Sequence, residues 1–489
     1  MIQKFFIFLF LVLHLSLHAQ NTFFRWYPSD KYEYIVNAII SSDGNFILCG
    51  EHGDDAFSVV QAYLLKINQN GDVLKENIKA DSGSSSSHCV IYTLSDEEGM
   101  FNTILSQNIS RAGHYYNLQS FNKYSNNLEL VSIRKYLSPV DKAIFPQAVL
   151  LVSDTCIFVQ SEIVTQLPYF HIIGSLVTKY NLQNDSLCSF YKPGDYLFSF
   201  GLIADTDSLT LKSFSVNPGT FTYVSKLNTA LQLLGEAKLP FFVTSTSATK
   251  FSDSKYLLTG VVDELINVKQ HIIVRSYDKN DLPIDSVEYY NHPDSILYSG
   301  SVCNTAIVGD NVFIVGNYNI NPAQWPWQNS PTWIQITRLD SNLHILDHHF
   351  YGGDAVYMPW KILSTTDGGA IVFGNRYDYK IPNEYKYHPF ALKLNPYGLI
   401  TELPEQPQAK AHDAIVYPNP GREWLNIQSG PQISGAEFTL YDMKGQPLLN
   451  QTLNSTQLKL NTAALPSGIY PWQIVFKNKV IESGKWIKE

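Results

Sequence analysis

Along most of the chain, short apolar runs alternate with clusters of Asp, Gly, Asn, Pro and Ser, and the alternation itself repeats. An Asp, a few turn residues and an apolar run return as SSDGNFILCG, LSDEEGMFNTIL, VSDTCIFVQ, ADTDSLTLKS, FSDSKYLLTG, VGDNVFIVG and TTDGGAIVFG. The aspartates are Asp43, Asp96, Asp154, Asp205 (or Asp207), Asp253, Asp310 and Asp367, spaced 48 to 58 residues apart. After each comes a strand-like run with a basic residue near its end, then a turn, then another apolar run. These basic residues are Lys66, Lys123, Lys179, Lys226, Arg275, Arg338 and Lys393.

Each unit reads as four strands; in the first they are YIVNAII, NFILCGE, AYLLKIN and DVLKENI. Four antiparallel strands at a period near fifty, repeated seven times, predict an all-β, seven-bladed β-propeller over residues 21–402. FFRWY, Phe23 to Tyr27, precedes the first unit and is expected to complete the outer edge of the last blade, which closes the ring and removes a sheet edge. In a four-stranded meander the first-to-second and third-to-fourth turns share one face. The second-to-third loops and the connections between blades lie on the other. The Asp series therefore marks the tight-turn face, where Asp-Gly suits a type I′ hairpin and Asp elsewhere caps a turn through its side chain. Each Asp is also expected to approach a basic residue of its own or the neighbouring blade, an exposed pair worth about 0–1 kcal/mol.

The pattern changes after YGLITELPEQPQAKAHDA, whose residues 403–414 read as a linker. Residues 415–489 alternate in strand fashion at Phe438/Leu440 and Trp472/Ile474 and predict a small C-terminal Ig-like β-sandwich that does not follow the repeat. Their motifs are Tyr417-Pro418-Asn419-Pro420, Leu440-Tyr441-Asp442 with Gly445, Leu465-Pro466-Ser467-Gly468-Ile469-Tyr470, and Ser483-Gly484-Lys485-Trp486-Ile487-Lys488. In these motifs the segment resembles the type A C-terminal sorting domain of the type IX secretion system of Bacteroidetes. The resemblance implies export across the outer membrane by that machinery, which would be the partner of residues 415–489, followed by release or attachment at the cell surface. Two departures stand out: Pro471, where a strand residue is usual, predicts a bulge or an edge, and Glu489 follows the final Lys. Upstream, Phe350-Tyr351-Gly352-Gly353-Asp354 and Asp367-Gly368-Gly369 resemble propeller-type repeats that precede such domains.

The first residues fit the same route. MIQKFFIFLFLVLHLSLHAQ has one Lys, an apolar stretch from Phe5 to Leu17 and a small residue at Ala19. It is too short to span a bilayer comfortably and reads as a secretory signal over residues 1–19.

Charge narrows the partners. The formal net charge is -9, and all of the excess acidity lies outside residues 415–489, which carry a small positive excess, so nucleic-acid binding through phosphate neutralisation is not expected. Cys49, Cys89, Cys156, Cys188 and Cys303 lie far apart and never as CxxC, which argues against a zinc site. Cys49 and Cys156 sit in strand-like runs and read as small buried hydrophobes.

No HExxH, GxSxG, GxGxxG or GxxxxGK is present, so no catalytic residue, metal site or cofactor is assigned. Propeller sites gather residues from several blades, so attention turns to the loop face. Blade six carries NPAQWPWQNSPTW with Trp325, Trp327 and Trp333; blade seven carries NRYDYKIPNEYKYHPF with Tyr377, Tyr379, Tyr385 and Tyr387. Two neighbouring aromatic loops could stack on sugar rings or anchor a protein; packing against the blades competes with that role. Glu51, His52, Asp54 and Asp55 in EHGDD offer oxygen and imidazole donors, although a solvated acidic loop is the commoner reading. His348 and His349, consecutive on a strand, would face opposite ways. The expected function is binding or adhesion to glycan or protein on the blade six and seven loops. The alternative is a hydrolase or lyase with carboxylates converging on the axis.

Overall fold

The computed structural model describes residues 22–54, 61–79, 87–92, 99–111, 114–137, 142–153, 156–165, 171–205, 210–217, 221–240, 244–264, 269–289, 297–299, 304–320, 328–381, 386–400, 414–418, 420–429, 433–442, 446–476 and 479–489. The secretory signal, the linker, Asp55, Asp96, Asp154, Asp207, Cys303, Trp325, Trp327, Tyr385, Asn419 and Gly445 lie outside the described residues. The chain divides into two compact units, residues 1–403 and 404–489.

Among the described residues, the first unit holds seven antiparallel sheets. In blade one the strands run Tyr32–Ile40, Phe46–Gly53, Gln61–Ile67 and Val73–Lys79, in that spatial order. The first strand of each blade is innermost and touches the inner strands of its neighbours, and blade seven touches blade one. The fold is a β-propeller. Its ring closes as the sequence suggests: Phe23–Trp26 pairs antiparallel with His388–Leu394 as the outer strand of blade seven, Phe23 opposite Lys393. Blade six departs slightly, since two short inner strands, Leu297–Ser299 and Thr305–Val308, share Asn311–Tyr318.

Apolar side chains from facing sheets fill the seams. Between blades seven and one, Ile35, Phe46, Leu48, Tyr63 and Leu65 meet Ile371, Phe373 and Ala391. Outer strands are mostly solvent-facing, as in Leu130–Leu137.

The seam contacts also explain the repeat. In the third-to-fourth turns, Asn68, Asn228, Asp278, Asp340 and Asn395 each accept the N–H groups two and four residues on. The fourth turn position has positive φ in every blade: Gly71, Leu128, Asp185, Leu231, Asp281, Leu343 and Gly398. A leucine there is strained by about 1 kcal/mol or more, yet Leu128, Leu231 and Leu343 are buried in the seams. Burying such a side chain contributes roughly 1.5–3 kcal/mol, so packing outweighs strain. Where the slot is glycine, a ring fills it: Phe23 lies against Gly71 and His349 against Gly398.

Most of the recurring basic residues reach into the turn of the next blade. Lys66 Nζ donates to Asn126 O at 2.7 Å, Lys179 Nζ to Thr229 O at 2.8 Å, Arg338 to Pro396 O at 2.7 Å, and Lys393 Nζ to Gln69 Oε1 at 3.2 Å. Lys226 pairs with Asp281 at 2.6 Å. They stitch the ring blade to blade.

The expected Asp partnership holds at Asp43–Lys66, 2.5 Å, and Asp367–Lys393, 3.0 Å. Elsewhere the pairs differ: Asp253 meets Lys250, and Arg338 meets Asp347 instead of Asp310. The Asp43 turn also differs from a two-residue hairpin. It spans residues 41–45, with Ser41 N bonded to Asn45 O and Gly44 N to Ser41 O, and Gly44 alone takes positive φ. Asp43 closes it by accepting Ser41 Oγ at 2.6 Å and Asn45 N at 3.1 Å.

The second unit is a small sandwich. One sheet orders Ala414–Tyr417, Trp424–Ser429 and Gln457–Asn461; the other orders Pro447–Thr452, Glu437–Tyr441, Gly468–Phe476 and Lys479–Lys488. Leu425, Ile427, Phe438, Leu440, Trp472, Ile474 and Trp486 form its core. Pro471 sits one position beyond the pairing of Leu440 with Trp472, where the ladder with Glu437–Tyr441 ends.

Candidate functional site

The aromatic loop residues divide. Tyr377 and Tyr387 are 6% and 2% exposed and pack with Tyr32, Ile320, Val356 and Met358. Both rings point inward: Tyr377 ends the strand Ala370–Tyr377, Tyr387 directly precedes His388–Leu394, and the two meet in that apolar cluster. Trp333 is half-buried, edge-on to Tyr318 and seated on Gly353. Tyr379 is half-buried, with Lys380 Nζ 5.6 Å from its ring centre. The FYGGD stretch is likewise structural. Gly352 and Gly353 take positive φ beneath Tyr357 and Trp333, and Asp354 accepts Tyr357 OH at 2.8 Å and Arg376 at 3.1 Å.

The described residues of EHGDD do not converge. His52 turns toward Glu33, with Nδ1 3.4 Å from its carboxylate, while Asp54 pairs with Lys31 at 2.7 Å on the surface. Among the described residues no three His, Cys, Asp or Glu side chains group as a metal site. His348 meets Thr337 Oγ1 at 2.9 Å and His349 meets Asp347 at 3.1 Å, on separate partners as alternation requires.

Among the described residues three glutamates lie inside the blades, Glu33, Glu51 and Glu162, and sequence reading singled out only Glu51. Burial pushes Glu33, Glu51 and Glu162 up to about 7. The Glu162 shift survives two opposing hydrogen bonds, from Ser199 N and from Gln147. Such shifts are what a catalytic acid needs, but each carboxyl has a structural position. Glu51, Glu162 and Asn375 occupy the same register site, one pair before the bulge of their inner strand: Tyr34 opposite Glu51, Phe145 opposite Glu162, Met358 opposite Asn375. Asn375 grips the inner strand of the next blade, accepting Ile35 N at 2.7 Å and donating to Ile35 O at 2.8 Å. Glu162 does the same to blade four by accepting Ser199 N at 3.1 Å. For Glu162 this seam contact gives the buried carboxyl a structural partner.

On the tight-turn face the charges behave oppositely. Asp281, 6% exposed, accepts Lys212 at 2.5 Å, Lys226 at 2.6 Å and Tyr256 OH at 2.8 Å. Against the opposing effect of burial, those bonds hold it below the usual carboxylate range. Asp43 is likewise drawn down to about 2 by Lys66 and Ser41 despite partial burial.

In the second unit the first and last motifs close on each other. Trp486 Nε1 donates to Pro418 O at 2.8 Å, Gly421 N to Ile487 O at 2.8 Å, and Glu489 N to Gly421 O at 2.9 Å. Tyr470 OH donates to Pro466 O at 2.7 Å, and Asp442 accepts Gln446 N at 2.9 Å to close its turn. Gly484 is required because the Trp472 ring lies where a side chain would project. A side chain at Gly468 would meet the Tyr470 ring at ordinary contact distance, and Lys485 is exposed. Residues 415–489 match the family model described as secretion system C-terminal sorting domain. This segment is a type IX sorting domain. The sorting domain carries the protein to the cell surface or the extracellular space and engages the type IX machinery.

No characterised protein sequence matches the chain. Among solved structures it is similar to a fungal alcohol oxidase of the AA5 family in complex with copper, at 10% identity and TM-score 0.46 over 95% of this chain and 99% of that one. It is also similar to the propeller domain of the Trilobed protease from Pyrococcus furiosus, at 10% identity and TM-score 0.41 over 77% and 100%. A putative 6-phosphogluconolactonase from Bacteroides fragilis aligns at 12% identity and TM-score 0.41 over 72% and 92%. Likeness at this distance transfers no activity.

Proposed function

We propose that the propeller is a binding or adhesion module, exported by its sorting domain and directed at an extracellular glycan or protein. The observation that carries this reading is the occupation of the buried carboxyls: Glu162 holds a blade seam and Glu33 faces His52, which leaves them to structure instead of to a reacting bond. On this reading the ligand meets the loop face of blades six and seven through Trp325, Trp327, Trp333, Tyr379 and Tyr385. Tyr377 and Tyr387 support the surface from below. The secretory signal at residues 1–19 delivers the chain to the type IX step. The test is a glycan and surface-protein binding screen on the full chain beside Trp325→Ala and Trp327→Ala. Loss of the bound ligand in both variants is expected; unchanged binding would remove this surface, and turnover of a polymer substrate would favour the hydrolase or lyase alternative.

A further inference from the structure

A second patch lies at the rim of the seam between blades three and four, away from the aromatic loops. The outer strand of blade three, Ser186–Pro193, brings in Lys192. Blade four supplies Phe221 and Tyr223 from Phe221–Leu227, and Glu236 and Lys238 from Leu233–Pro240. Cross-strand register sets Tyr223 opposite Lys238 and Ser225 opposite Glu236, so these side chains share one sheet face.

The contacts are unequal. Lys192 lies 4.3 Å from the centre of the Tyr223 ring and contacts the Glu236 carboxylate. Lys238 lies 5.5 Å from the Phe221 ring centre and 5.8 Å from that of Tyr223. Two ammonium groups therefore border one tyrosine ring, and only Lys192 also contacts the carboxylate. Among the described residues no carboxylate pairs with Lys238. Burial and the neighbouring Lys238 charge lower Lys192 to about 8. Phe221, 45% exposed, offers an apolar ring beside this excess positive charge. In a chain of net charge -9 this patch runs against the general field.

An exposed ring beside two cations suits a ligand with an apolar face and an anionic substituent. A pyranose stacks its C–H face on an aromatic ring, and a carboxylate at its edge can meet both ammonium groups. We propose that Lys192, Tyr223, Lys238 and Phe221 form a binding subsite for a hexuronate unit of an extracellular polysaccharide. This rests on the reading of the propeller as a glycan-binding module, but it uses different blades and a different ligand chemistry.

The full chain is titrated with oligogalacturonate at low salt, with a neutral cello-oligosaccharide and a sulfated dextran oligomer of similar length as controls. Oligogalacturonate is expected to bind at least about tenfold more tightly than the neutral chain, which lacks the carboxylate for a charge-assisted contact. Lys238→Gln and Phe221→Ala, both at exposed positions, should each weaken it about tenfold or more, while Trp325→Ala and Trp327→Ala leave it unchanged. Bound ligand should also slow acetylation of Lys192, read by mass spectrometry. Equal affinity for the neutral chain, tighter binding of the sulfated oligomer, or full affinity in Lys238→Gln would overturn the subsite. Neutral-glycan binding lost only in the tryptophan variants would uphold the blade six and seven surface and reject this one.

Discussion

Carboxyl groups at the tight turns and carboxyl groups inside the blades are handled in opposite ways. Asp43, Asp281 and Asp367 accept lysine ammonium groups and hydroxyls, and all three are held below their ordinary range despite burial. Among the described residues Glu33, Glu51 and Glu162 are enclosed without a lysine or arginine partner, and they rise to about 7. The same functional group is kept charged at one level of the ring and driven toward neutrality at another. Burial alone does not decide the outcome; the arrival of a cation from the next strand or blade does.

The largest effect should follow from breaking the Asp281 cluster. Asp281→Ala leaves two lysines facing each other and should cost about 3–5 kcal/mol in urea unfolding. A loss below about 1 kcal/mol would mean that water already screens the site. Next comes the pH response of the inner carboxyls. A folded pKa above the unfolded value gives stability that is full below about pH 4.5 and lost as pH rises through about 7, on the order of 3 kcal/mol for Glu162. Glu162→Gln should remove that slope and be the more stable protein at about pH 8, as melting temperatures across pH will report. The tight-turn aspartates give the reverse slope, since their stabilisation is present above about pH 4 and lost as pH falls further. Leu231→Gly exchanges buried contact for relief of positive-φ strain and should cost about 1–2 kcal/mol. Any gain in stability would show that strain dominates there. The smallest effect belongs to Asp367 and Lys393. A double-mutant cycle should return about 1 kcal/mol of coupling, more than an exposed pair because the lysine side chain is only 4% exposed.

The blades were legible because turn chemistry repeats. Asp43 and Asp367, with the glycines that follow, announced their turns from composition alone, and Lys66 and Lys393 marked the strand that returns to the same face. The stitching between blades was harder to read. It depends on where a lysine ends after the sheet twists, and no local pattern encodes that Lys179 reaches Thr229. Tyr377 and Tyr387 misled because a tyrosine at a strand end has the same letter whether its ring faces solvent or a seam. Lys192 and Lys238 gave no signal at all: they lie 46 positions apart, on outer strands of different blades. In the sorting domain the motifs were readable as a set because Pro418, Gly421 and Trp486 meet in space.

The pairing of Phe23 with Lys393 also sets a schedule. A strand near the beginning of the chain has no sheet to join until almost all of the propeller has been delivered. Drawing those ends together costs roughly 5 kcal/mol of chain entropy, and contacts this distant in sequence make folding slow. Until that moment the outer edge of blade seven, His388–Leu394, stays open to any extended peptide in its surroundings. Completion of the ring is therefore a late event, one that a chaperone or a competing strand could intercept.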